Sequence, residues 1–284
     1  MSQTYTDLNY FSRDSELNNF SYWFPKIEHC GIRVPKSVVI PVPEDMWKGE
    51  TFFMENIPED EARIERFVRE NVLPALDRNG FSSPMLFIKN GAFSNKFDAG
   101  KCCFCLKDAY DLVRSISLIQ YYSLCNETGG ESEIVVRERI SSITEIVPEI
   151  YSGLPLRPEF RVFYDFDRKE PIFTVDYWEY DYVYPHIFEA TDKIVFERMK
   201  KHLAKSFRLK KDWVTDIVSD AMKNVTGLEG PWSIDCMLDC YPVEVQQDII
   251  EDLHPDYFGG GMETELYLID MAVAERSAYW DKRP

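Results

Sequence analysis

The chain of 284 residues has no run of about 18 apolar residues, so it carries no candidate membrane span. Its opening stretch, MSQTYTDLNYFSRDSELNNF, lacks the basic patch and following apolar run of a secretory signal. A cytoplasmic protein with no membrane association is therefore expected. The seven cysteines are an odd number, and without a secretory signal they read as reduced thiols. The cluster KCCFC has no second C-x-x-C and no histidine at zinc spacing, so buried, inert thiols are the better reading than a zinc site. There is no G-x-x-x-x-G-K-[ST], which excludes a P-loop, and no G-x-G-x-x-G, which leaves Rossmann and kinase loops without support. No internal repeat and no low-complexity segment is present.

What the chain does have is material for a core: 45% of its residues are hydrophobic and 14% aromatic. Its formal net charge of −17 repels phosphate backbones and argues against nonspecific nucleic-acid binding. A single nucleotide needs only a local basic pocket and is not excluded.

SVVIPVP reads as a strand whose prolines mark an edge or exit. PEDEARIERFVRENVLPALDRNG reads as a helix closing at Gly80, PMLFIKNGAF as a short strand from Met85 to Lys89, and residues 107–124 as a helix. IVVRERI is a strand, and PIFTVDYWEYDYVYPHI a strand running into an aromatic loop. Two helices are expected over 191–205 and 211–225. WSIDCMLD and ELYLIDMAV are two late strands, joined by a long connection whose glycines at 259–261 suggest a mobile loop. Mixed elements with hairpin-like strand pairs favour an α+β fold with largely antiparallel sheets.

Four sets of charged residues end or punctuate apolar strands: Lys89 with Lys96 in the loop after it, Arg137 with Glu138, Glu159 with Arg161, and the acids Asp235 and Asp270. A single charge at a strand end usually meets water. Together the four sets suit a different chemistry. Two carboxylates on late strands suit Mg²⁺, and lysines and arginines from earlier strands suit a polyphosphate. Metal and cations together are what phosphoryl chemistry requires. The aromatics Tyr177, Trp178, Tyr180, Tyr182 and Tyr184 read as packing more readily than as a substrate pocket, and His186 as structural. The basic run RMKKHLAKSFRLKK, 198–211, reads as a solvated helix face.

FSYWFPKI, KSVVIPVP, FIKNGAFSNKFDA, VVRERI, LRPEFRVFYDFD, YDYVYPHI and LYLID, in this order, resemble the ATP-grasp superfamily, and within it the branch containing the cell-division-cycle-123 (D123) family of translation-initiation assembly factors. The resemblance implies an N-terminal α/β lobe over 1–80, a small lobe over 81–145 and a large lobe with the metal-binding acids over 146–284. It implies that Lys89 contacts phosphate, that the loop 91–98 with Lys96 covers it, and that Arg137 to Ile140, Glu138 among them, holds adenine and ribose. Arg161 matches a phosphate-binding arginine, with Glu159 beside it, and Asp235 and Asp270 match the metal ligands. Ala272 stands where many members carry a metal-binding asparagine; Asp239 or Glu275 could take that place.

The implied cofactors are ATP and Mg²⁺. The implied function is a ligase that joins a carboxylate to an amine through an acyl phosphate, with Lys89 and Arg161 stabilising phosphate charge and a protein or peptide among the possible substrates. The alternative is an ATP-binding assembly chaperone, a protein-binding module without obligatory turnover. A degenerate fold that binds no nucleotide is the third reading.

Overall fold

The computed structural model describes residues 16–54, 56–140, 148–252 and 263–282. They form two compact units. The described residues of the first fall within 16–24, 37–95 and 101–138; those of the second fall within 25–36, 96–100, 139–140, 148–252 and 263–282. The fold is α+β, and the strand pairings within both units' sheets are antiparallel.

The first unit is built on a four-stranded sheet in the order β1 (Ser37–Pro41), β4 (Glu133–Glu138), β2 (Met85–Asn90), β3 (Phe104–Leu106). β1 comes from the segment assigned by resemblance to an N-terminal lobe, yet it pairs with β4 of the next segment, Ser37 opposite Arg137. It lies at the sheet edge, where its terminal proline sacrifices no ladder hydrogen bond. Alternation sets the two faces apart. Leu86 and Ile88 of β2 join Ile134 and Val136 of β4 in a core closed by helices Ile57–Phe67 and Ala109–Cys125. The other face carries Lys89 and Arg137.

The second unit's sheet runs β10 (Leu266–Val273), β9 (Pro231–Leu238), β7 (Glu159–Asp165), β8 (Glu170–Asp176). On β7, Phe160 stacks on Phe207 of helix Ala190–Met222, with ring centroids 5.7 Å apart. Thr174 of β8 hydrogen-bonds Thr215 of the same helix at 2.8 Å. The even-numbered face of β7 is thus packed, and the odd-numbered face, with Glu159, Arg161 and Phe163, is left for other partners. A hairpin of β5 (Glu149–Ile150) and β6 (Leu154–Pro155) precedes this sheet.

The two helices expected over 191–205 and 211–225 are one helix of 33 residues, Ala190–Met222. The charged stretch between them holds no Pro or Gly, and Met199, Leu203, Ser206, Val214 and Val218 keep one face buried through it. The expected aromatic loop after β8 is wound into a helical turn, Tyr180–Val183, and a 3-10 turn, Tyr184–His186. The long connection after β9 holds a helix, Val243–Asp252. The glycines at 259–261 lie outside the described residues.

Candidate functional site

β7 sets Arg161 directly opposite Asp235 of β9, and β9 sets Asp235 opposite Asp270 of β10. Opposed residues of an antiparallel pair share a face. The row across the sheet therefore reads acid, acid, arginine. Glu159 lies two residues before Arg161 on the same face. A bulge between Leu268 and Asp270 adjusts the β10 register to bring Asp270 into the row.

Arg161 and Asp235 are both buried, and they pair bidentately. Arg161 Nε donates to Asp235 Oδ1 at 2.7 Å, and Nη2 donates to Oδ2 at 2.8 Å. A third donor, Nη1, reaches the Ala278 carbonyl at 3.1 Å. Burial opposes the guanidinium charge, and Asp235 outweighs it, so Arg161 is held well above its ordinary value.

Glu159 is 5% exposed, with Lys96 Nζ 3.9 Å from its Oε2. That oxygen accepts no hydrogen bond among the described residues. Burial pushes the Glu159 carboxyl up to about 7, although Lys96 pulls it down. Lys96 donates to the Tyr177 hydroxyl at 2.5 Å and lies 4.0 Å from that ring's centre. Burial works against the ammonium, but Tyr177, Glu159 and Asp235 outweigh it and raise its pKa. Arg161 lies over the same ring, at 5.0 Å.

Tyr177 is held in turn. Its backbone N–H donates to the Glu159 carbonyl at 3.1 Å, and its carbonyl accepts from the Tyr279 hydroxyl at 2.9 Å. Beyond the charged end, the same sheet face turns apolar, where Phe163 stacks on Phe173 and tilts against Trp280. Sequence reasoning weighed Tyr177 as pocket lining and preferred packing, and it did not single out Tyr279. Their only signal was a surplus of aromatics after β8 and at the C-terminal end.

The structure thus brings Lys96, Glu159, Arg161, Asp235 and Asp270 to one sheet of the second unit. Lys89, Arg137 and Glu138 belong to the first. There Lys89 is 2% exposed on β2, and Arg137 on β4 lies opposite Phe87, two positions from Lys89. The Arg137 guanidinium stacks 4.7 Å from the Phe20 ring centre, and its Nε donates to Ser37 Oγ at 3.3 Å. Of the aromatic cluster, Trp178 is buried in the second unit's core with Phe196 and Leu203, and Tyr182 is exposed.

Asp235 and Asp270 suit a hard divalent cation. Each carboxylate offers about four lone-pair directions, and Arg161 takes two of Asp235's. Met271 N–H takes one of Asp270's, at 3.0 Å. Two carboxylates at opposed positions of neighbouring strands are the kind of donor set that Mg²⁺ would complete with water and phosphate oxygens. Among the described residues, no group of three His, Cys, Asp or Glu side chains is placed to bind a metal by itself.

No family model and no curated protein matches the sequence. Among solved structures, the chain is similar to Cdc123 from Schizosaccharomyces pombe, at 14% identity and a TM-score of 0.46, covering 95% of this chain and 90% of that one. It is similar to the C-terminally truncated form of the same protein at the same identity and score, over 93% and 87%.

Proposed function

We propose that the second unit's charged sheet face binds the phosphates of ATP together with Mg²⁺. The observation that carries this reading is the burial of Glu159, Arg161 and Asp235 in one cluster with Lys96, where Glu159 Oε2 accepts no hydrogen bond among the described residues. Proteins seldom bury such groups unless pairing or function retains them. Asp235 and Asp270 would hold the metal, which supplies neutralisation of phosphate charge when bound. Released from Asp235, Arg161 would offer a planar fork of donors and Lys96 a point charge, a combination suited to phosphate oxygens. Tyr177 keeps both cations oriented. Lys89 is the residue of the first unit to which the superfamily resemblance gives a phosphate contact, with Arg137 and Glu138 assigned to adenine and ribose.

The reaction we assign is ADP-forming ligation of a carboxylate to an amine. The carboxylate attacks the terminal phosphorus of ATP, ADP leaves, and the amine then displaces phosphate from the acyl phosphate. Arg161 and Lys96 are placed to hold the charge that gathers on the transferred group. A binding module without turnover is the second reading. Ala272, at the position where many superfamily members carry a metal-binding asparagine, favours it.

Thermal unfolding with and without ATP and Mg²⁺ tests the site. A ligand at about a hundred times its dissociation constant adds roughly 2.7 kcal/mol. Wild type should shift upward and Lys96→Met should not. No shift in wild type at millimolar nucleotide would remove the proposal. ADP release that requires an added carboxylate and amine selects the ligase; retained ATP with no ADP selects the binding module.

A further inference from the structure

Arg157 is a buried charge of the second unit that the proposed nucleotide site does not use. It precedes β7 by two residues and is 5% exposed. The backbone around it is fixed on every side. Leu156 N–H donates to the Pro148 carbonyl at 2.8 Å, and the Leu156 carbonyl accepts from the Tyr241 hydroxyl at 2.8 Å. The Arg157 carbonyl accepts from Trp178 Nε1 at 2.8 Å, and the Pro158 carbonyl from Leu238 N–H at 3.0 Å. The side chain therefore starts from a rigid frame.

The guanidinium on that frame is under-paired. Nη1 donates to the Ile140 carbonyl at 3.0 Å, its one hydrogen bond among the described residues, and no carboxylate among them forms an ion pair with it. Nε is sealed from solvent without an acceptor; Nη2 lacks one as well and keeps some contact with solvent. The neighbouring charges do not make up the deficit. Arg139 repels the guanidinium and is itself paired with Glu149 at 3.2 Å. Asp239 attracts it, but Asp239 Oδ1 accepts from Glu265 N–H at 2.8 Å. Burial, with Arg139 adding to it, holds the Arg157 pKa below its ordinary value. A buried charge without a partner gives up its hydration for little in return, so buried arginines are ordinarily paired. Arg161 shows what the partner of such an edge looks like: its Nε and Nη2 are the two atoms that grip the Asp235 carboxylate.

We propose that the Nε–Nη2 edge of Arg157 binds a carboxylate group of a small-molecule ligand. A carboxylate brings two acceptors that match the two parallel donors of the edge, and a single negative charge. A phosphate dianion fits less well, because Asp239 and Glu159 stand near the same guanidinium. The slight exposure of Arg157 admits the tip of a ligand and no folded partner. The site needs neither nucleotide nor metal, so its success or failure is separable from that of the ATP site. Arg157 lies two residues before Glu159, which places the bound carboxylate beside the charged cluster. In the ligase reading, on which this step alone rests, it anchors the carboxylate substrate.

The test is thermal unfolding of the full chain at constant ionic strength, without nucleotide, as chloride is replaced stepwise by acetate. The wild-type midpoint should rise with acetate concentration, as mass action requires of a ligand bound by the folded state. Acetate also acts on protein surfaces in general, so the readout is the excess of that rise over the rise in Arg157→Met. In chloride, Arg157→Met should unfold at or above the wild-type midpoint, because it removes a buried charge that has no partner. Arg157→Lys keeps the charge without the fork and should lose the excess. Lys96→Met should keep the excess while losing the response to ATP and Mg²⁺. No excess in wild type overturns the proposal. So does a chloride midpoint lowered in Arg157→Met and restored in Arg157→Lys, which would make Arg157 a structural tie to the Ile140 carbonyl. A larger excess with inorganic phosphate than with acetate would overturn the carboxylate assignment.

Discussion

Arg161 and Asp235 face each other across β7 and β9 and are closed into a two-pronged ion pair, at 2.7 and 2.8 Å. The residue suited to a phosphate is thus paired with a residue suited to a metal. Such a pair holds both side chains in place without ligand, and a phosphate oxygen and a divalent cation offer each partner a replacement of the same sign. The pair ties β7 to β9, and in the proposed reading it also serves the nucleotide site; the two roles are separable by substitution.

Breaking the pair from one side strands a buried charge. Arg161→Met leaves Asp235 at 5% exposure without its counter-ion, and the expected loss is about 3–5 kcal/mol of unfolding free energy. Removing both charges, as Arg161→Met/Asp235→Leu, should restore most of that, because two apolar side chains fill a buried pair's place without desolvation cost. Urea denaturation reads both effects. The double variant should fold and yet show no stabilisation by ATP and Mg²⁺. If Arg161→Met alone lost under about 1 kcal/mol, the pair would behave as a solvated surface contact.

Glu159 should give stability an opposite pH dependence from that of an ordinary paired carboxylate. Burial lifts its folded value to about 7, from 4.5 for an unperturbed group. Between those values the folded chain keeps a proton that the unfolded chain has released. The folded state then binds more protons, so stability falls as pH rises through this window. The penalty is absent below 4.5 and complete above about 7. Asp176, lifted by burial to about 6, acts the same way from 3.8 upward, so the wild-type curve alone does not isolate Glu159. The difference between Glu159→Gln and wild type does. The variant should gain on wild type from pH 4.5 to 7 and then run parallel to it. A flat difference across that range would place Glu159 in water.

The strands and the charged residues on them were legible in the sequence, because an arginine or aspartate inside an apolar alternation is visible without a fold. Which charge meets which was not. Arg161 and Asp235 are 74 positions apart, and their contact depends on the register of β7 against β9. A sequence shows Glu159 two residues from Arg161 and suggests that those two pair; the sheet instead gives Arg161 to Asp235 and Glu159 to Lys96. The break expected between 205 and 211 is absent, because nothing there interrupts a helix and the buried face continues on either side. Tyr177 is a site residue only because β8 ends beside Glu159, which is again a matter of pairing.

Gly100 fixes where Lys96 stands. A Cβ at this position would lie 1.5 Å from the Ser152 carbonyl oxygen, a backbone atom with no room to retreat. Ser152 sits in the β5–β6 turn, where Tyr151, Ser152 and Gly153 all have positive φ. The turn is tied down by Asp192 in the first turn of the long helix, whose Oδ2 accepts from Tyr151 N–H at 2.7 Å. Gly100 N–H in turn donates to the Tyr151 carbonyl at 3.3 Å. Gly100→Ala must therefore push the segment 96–100 off the hairpin, at a cost of about 1–3 kcal/mol. Lys96 moves with that segment, away from Tyr177 and Glu159. The expected outcome is a lowered urea midpoint together with weaker ATP–Mg²⁺ affinity by calorimetric titration. Ser152→Ala leaves the offending oxygen in place and should change neither. A Gly100→Ala chain with wild-type midpoint and affinity would mean that the hairpin does not set the position of Lys96.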